Sequence, residues 1–132
     1  MVISGYAARF DTPDLGGDRF VQGAFVQAIA ERRARILIDH DPGLIAGRLI
    51  DACEDALGLF VRAELEPQTG ERSGLSVGFK TVRARRRDGV REIAEADLWE
   101  ISLVHFPMHP KCRIEQCTAH PTSKERDDGN GA

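Results

Sequence analysis

The dipeptide Asp88-Gly89 lies between two stretches that alternate apolar and polar residues, Phe79 to Arg87 and Val90 to Val104. Asp-Gly is a strong tight-hairpin signal because both residues tolerate positive φ, and a repeat of two is that of a half-buried strand. The two stretches are therefore expected to form the long arms of one antiparallel hairpin. In the second arm Trp99, Ile101 and Leu103 alternate with Glu100, Ser102 and Val104. The apolar set is expected to face the core, which leaves Glu100 and Ser102 on the outer face. Just before the first arm, Gly74-Leu75-Ser76-Val77-Gly78-Phe79 has the same period. Leu75, Val77 and Phe79 then point one way, Ser76 and Gly78 the other. Glycines in a strand mark a bulge or a close approach by another backbone. Around Ser76 that backbone is either a peptide substrate or merely a neighbouring strand at a kink.

The remaining chain reads as further strands around one helix. Val2 to Phe10 is a strand running into the turn-forming residues Asp11 to Asp18. Gly23-Ala24-Phe25 opens a short amphipathic helix to about Arg33, with Phe25, Ile29 and the stem of Arg32 at helical spacing. Arg35 to His40 is a short apolar strand that stops at Asp39-His40-Asp41-Pro42-Gly43. Leu44 to Ala52 and Gly58 to Glu66 can pair as a hairpin, and Pro67 to Arg72 is a polar loop. Pro107 and Pro110 end the last long strand. From about Thr118 to Ala132 there is no apolar periodicity, so a single domain over residues 1–117 and a disordered tail over 118–132 are expected. The fold class expected is mainly β with one or two helices, an antiparallel barrel or sandwich carrying a helix.

A net charge of -3 over 132 residues gives no electrostatic reason to expect a nucleic-acid partner. The cluster Arg83, Arg85, Arg86 and Arg87 flanks the Asp88-Gly89 turn and reads as solvated. No apolar run has the length of a membrane span, and the N-terminus lacks a signal-peptide layout, so a cytoplasmic protein is expected. Cys53, Cys112 and Cys117 make a disulfide framework unexpected. Leu59, Val61, Leu75 and Val77 belong to a small β domain whose sheet edges need cover, which points to a homo-oligomer.

Two constellations can carry chemistry. A serine hydroxyl becomes a useful nucleophile when a base takes its proton and a third group orients that base. Ser76, His40 and Glu100 fit those roles by type. Parity puts Ser76 and Glu100 on the outer face. His40 shares its parity with Ile36 and Ile38, so its ring points to the core unless the following turn redirects it. The second constellation is His105, His109, Cys112, Cys117 and His120, residue types that hold zinc. Its spacing matches no paired motif, so neither a metal nor another cofactor is expected.

The order of these motifs resembles the prohead, or capsid maturation, proteases of tailed phages and gene transfer agents, relatives of the herpesvirus assemblin proteases. The matching pieces are Gly5-Tyr6-Ala7 with Phe10, Gly23-Ala24-Phe25, His40-Asp41 with Ile45-Ala46-Gly47, and Gly58-Leu59-Phe60-Val61. They continue with Gly74 to Phe79 and with Asp97 to Val104 running into Pro107, and together they cover about Ser4 to Pro110. The resemblance implies a serine endopeptidase with the herpesvirus-protease-like β-barrel. Such an enzyme works inside the procapsid on a scaffold or major capsid protein precursor, and often on itself. By motif the nucleophile falls on Ser76 and the base on His40. The third member falls on Glu100, whereas the herpesvirus enzymes use a second histidine, for which His105 is the neighbouring alternative. Family members usually carry a longer, helix-containing segment before the serine motif; here only Glu66 to Ser73 connects the strands. That short connection defines the alternative function, a non-catalytic barrel acting in capsid assembly or scaffolding.

Overall fold

Eight strands and one helix follow in the order β1 (Val2–Arg9), β2 (Asp18–Phe20), α1 (Val26–Glu31), β3 (Arg35–Ile38), β4 (Asp41–Glu54), β5 (Gly58–Leu65), β6 (Gly74–Arg87), β7 (Val90–Val104) and β8 (Ile114–Thr118). They are taken from a computed structural model that describes residues 1–67 and 71–118. Asp88 and Gly89 both have positive φ, 52° and 79°, and join β6 to β7 as expected. β6 covers one edge of β7 from Val90 to Val104. The other edge is shared by β3, parallel beside Glu100 to Leu103, and β2, parallel beside Arg91 to Ile93. The sheet then continues through antiparallel β4, β5, β1 and β8.

The expected fold is therefore met in its mainly β character and single short helix, with two corrections. The sheet is mixed, because the chain leaves β2, passes through α1 and returns to the same edge of β7 in the same direction. Among the described residues its ladders also do not close into a barrel. Between the two ends of the sheet lie one bridge, Gly74 with Arg113, and the hydrogen bonds Leu75 N–H to Cys112 O and Ile114 N–H to Ser73 O.

Helix α1 is shorter than its periodicity predicts. Arg32 turns left-handed at φ 54° and ends it, while Phe25, just before it, is fully buried. Phe25, Leu59, Val61, Ile93, Ile101 and Leu103 form the centre of the core. Each side chain of that size stabilises the fold by about 1.5–3 kcal/mol. The ends of β8 and β1 meet, with Thr118 opposite Val2, so Thr118 is a strand residue; the rest of the expected tail, from 119, lies outside the described residues.

Trp99 does not join the core and is 58% exposed. Gly78 pairs with Glu100 but the next residue, Phe79, pairs with Leu98, so Trp99 is the extra residue of a β-bulge. The bulge changes the parity of β7. Ala96 and Leu98 are buried before it, Ile101 and Leu103 after it, and Trp99 is turned outward with its indole N–H on Asp97 Oδ2.

Candidate active site

Directly opposed residues of an antiparallel pair project from the same face. Ser76 faces Ser102 and Gly78 faces Glu100 across β6 and β7, so these four residues make one small patch. His40 reaches this patch from the opposite side of β7. Asp39 and His40 form the two-residue turn between β3 and β4, and both have positive φ, 52° and 60°. That is the demand of a primed hairpin turn, and it lifts the His40 ring out of the strand alternation that would have sent it to the core. The turn is fastened to β7 by Asp39 N–H on Leu103 O at 3.1 Å and His40 N–H on Ser102 Oγ at 2.9 Å.

The side chains then close a ring of hydrogen bonds. His40 Nδ1–H donates to Glu100 Oε2 at 2.5 Å, and Ser102 Oγ–H donates to Glu100 Oε1 at 2.7 Å. The carboxylate thereby fixes the proton on Nδ1 and leaves Nε2 as the free basic nitrogen. The Glu100 carboxylate also holds the His40 pKa above its ordinary value, against partial burial, which works downward. To reach the imidazole the Glu100 side chain lies across Gly78. A Cβ at residue 78 would fall 2.1 Å from Glu100 Oε2.

Ser76 and His40 border the same cavity of about 180 Å³, with Ala8, Phe20, Phe79 and Met108 among its other walls. Ser76 is half-buried at its rim. The three residues expected from sequence are thus brought to one place: Glu100 bonded to His40, and Ser76 beside them on the shared cavity. Among the described hydrogen bonds none joins Ser76 to His40, and none joins His105 to His40. His105 is exposed beyond the end of β7, near the Asp39 carboxylate. Asp39 is gripped by both nitrogens of an Arg72 fork, at 3.0 and 2.9 Å, which holds its carboxyl below the usual range. Arg72 so ties the short connection before β6 to the turn that carries His40.

Ser102 is expected on the outer face, with no role assigned to it, yet it is fully buried because the Asp39-His40 turn folds over it. The available signal was its parity with Glu100 next to the predicted strand end at His40.

The second constellation is dispersed. His109 is buried, accepting Lys111 N–H at Nδ1 and donating from Nε2 to Thr12 Oγ1 at 2.8 Å; burial pushes its pKa down. Burial pushes the Cys112 thiol up to about 12. Cys117 is exposed at the other end of β8, and His120 lies outside the described residues. Among the described residues no three His, Cys, Asp or Glu side chains converge as a metal site would require. No helix among them is long and apolar enough to cross a membrane.

The chain is 32% identical over 97 residues to the prohead protease of Enterobacteria phage HK97, covering 62% of this chain and 43% of that protein. Its fold is similar to that of KSHV protease, solved with a hexapeptide phosphonate inhibitor, at a TM-score of 0.60 and 11% identity. That match covers 89% of this chain and 65% of the viral one, so this chain spans less than two thirds of the length of both proteins. The model of the caudovirus prohead serine proteases matches residues 1–126, and the chain belongs to that family.

Proposed function

We propose that this protein is a serine endopeptidase of capsid maturation, with Ser76 as nucleophile, His40 as general base and Glu100 as the carboxylate that orients the base. The observation that carries the reading is the 2.5 Å bond from His40 Nδ1–H to Glu100, with His40 and Ser76 on one cavity. Ser76 Oγ attacks the scissile carbonyl while His40 Nε2 takes its proton. The imidazolium, steadied by Glu100, then returns that proton to the leaving amine, and water hydrolyses the acyl-enzyme by the same relay. The substrates are a scaffold or major capsid protein precursor, and the chain itself, cut inside the procapsid of the host cell. Neither nucleic acid nor membrane takes part. The fold serves as a herpesvirus-protease-like scaffold, its sheet ends drawn together at the Gly74–Arg113 bridge, and its exposed sheet edges pair copies into a homo-oligomer, to be tested by sedimentation.

The test is labelling with a fluorophosphonate, followed by cleavage of a co-expressed capsid precursor. Label is expected on Ser76 alone, and Ser76→Ala should abolish both label and cleavage. His40→Ala should be about as damaging, while Glu100→Gln should retain measurable activity, as expected for residues that act as one unit. A folded wild type that neither labels nor cleaves would favour the non-catalytic assembly barrel, to which the short Glu66 to Ser73 connection points. Cleavage undiminished in Ser76→Ala would falsify the mechanism.

A further inference from the structure

Ser102 is the only residue among those described that hydrogen-bonds both to the His40 backbone and to the Glu100 carboxylate. It is fully buried and directly opposite Ser76 in the β6–β7 ladder. We propose that Ser102 is the positioning residue of this site, a fourth member that sets the distance and the proton order between His40 and Glu100. The proposal rests on the assignment of Ser76, His40 and Glu100 made above.

The direction of each bond fixes the others. A hydroxyl has one proton. Ser102 Oγ receives the His40 N–H, so its own proton is free to go to Glu100 Oε1. With Oε1 occupied, Oε2 is the oxygen that faces His40 Nδ1. The backbone and the ring of His40 are therefore both referred to one buried atom of β7. That anchor matters because the His40 turn is otherwise exposed and carries two consecutive residues at positive φ without a glycine, a conformation that L side chains resist. Released from Ser102, the turn and the carboxylate each gain freedom to part. Water can replace either hydrogen bond, but it is not fixed to β7 and does not restore the spacing.

The role differs from catalysis by contact. Among the described hydrogen bonds Ser102 makes none to Ser76, and it does not border the cavity where a substrate would lie. It acts through His40 and Glu100.

The experiment compares wild type with Ser102→Ala, Ser102→Cys and Ser102→Thr. Two readouts are used, the His40 imidazole titration followed by NMR and the saturating rate of fluorophosphonate labelling. Ser102→Cys keeps the shape with a slightly larger, weakly hydrogen-bonding atom, so it separates loss of the hydroxyl from loss of packing; Ser102→Thr keeps the hydroxyl. In Ser102→Ala and Ser102→Cys the His40 midpoint is expected to fall toward the ordinary imidazole value. The saturating labelling rate should drop by about 10- to 100-fold, the scale of an ångström-sized misplacement, with little change in reagent affinity. Ser102→Thr should recover most of both. A His40 midpoint that stays put or rises in folded Ser102→Cys overturns the proposal, as does labelling at the wild-type rate. The titration is read on the resting protein, so it decides the positioning role even if the wild type takes no label, a result that would count instead against the nucleophile assignment.

Discussion

Replacing Gly78 by alanine should disable the site with little cost to the fold, and the structure gives the scale. A Cβ at residue 78 would lie 2.1 Å from Glu100 Oε2, 2.6 Å from Cδ and 2.8 Å from Cγ. Carbon atoms settle at about 3.5–4.0 Å, so the carboxylate has to retreat by roughly 1 Å. A hydrogen bond that begins at 2.5 Å to His40 Nδ1 then lengthens to the limit of bonding or breaks. Misplacement of that size costs about 10²-fold in rate. The stability terms oppose each other. Exchanging glycine for alanine within a strand gains about 0.5–1 kcal/mol. A charged hydrogen bond is worth about 1.5–3 kcal/mol, less where the partners are as exposed as His40. The net is within about 2 kcal/mol, a melting shift of several degrees for a domain of this size. The assay is the phosphonate labelling rate beside a thermal melt and the His40 titration. The expected result is a labelling rate down about 100-fold, a His40 midpoint moved toward the ordinary imidazole value, and a cooperative melt close to wild type. A Gly78→Ala protein that labels at full rate with an unshifted His40 would refute the reasoning, because Glu100 would then have a second way to reach the imidazole.

The raised His40 pKa predicts that kcat/KM climbs with pH through a midpoint above the ordinary imidazole value of about 6.5, since the base must be neutral, and that Glu100→Gln moves this limb down. Because the folded-state pKa is the higher one, the stability contributed by the His40–Glu100 pair is full below about pH 6.5 and is lost as pH rises through the folded value. Denaturant titration should therefore find a larger wild-type advantage over Glu100→Gln at about pH 5.5 than at about pH 9. Trp99→Ser should change the unfolding free energy by no more than about 0.5 kcal/mol, since the ring is bulged into solvent; a loss of several kcal/mol would mean that the indole packs. A thiol reagent should modify Cys53 and Cys117 in the native protein and spare Cys112, whose thiol is buried and pushed up to about 12, until the chain is unfolded.

Local signals located the strands that turns delimit. Asp88-Gly89 fixed the β6–β7 hairpin because its chemistry and its neighbours agree, and the Asp39-His40 break was visible for the same reason. What escaped was set by contacts distant in sequence. Trp99 is an apolar residue in good alternation, and only the pairing of Gly78 with Glu100 and Phe79 with Leu98 shows that it is the odd residue out. β2 is three residues long, and it is held beside β7 partly by Arg91 on Asp18 and Arg19 on Glu92, pairs 73 positions apart. β8 carries a single half-buried apolar residue, Ile114, ahead of four exposed ones, too little pattern to declare a strand. Residue type and parity put Ser76 and Glu100 on one face, where the β6–β7 pairing places them, but the orientation of His40 waited on two dihedral angles. Ser102 looked like a surface serine because nothing local announces that a turn from 62 residues away covers it.

The parallel seam between β3 and β7 also imposes an order in time. His40 and Glu100 are 60 residues apart, and β4, β5 and β6 must all be synthesised before β7 exists to receive the turn. Contacts of such separation form late, after the entropy of the intervening loop has been spent. A nascent or partly folded chain holds a serine, a histidine and a glutamate but no base aligned by a carboxylate. Under the proposed mechanism, folding of β7 against the Asp39-His40 turn is what aligns the base, so a chain still emerging from the ribosome lacks that alignment.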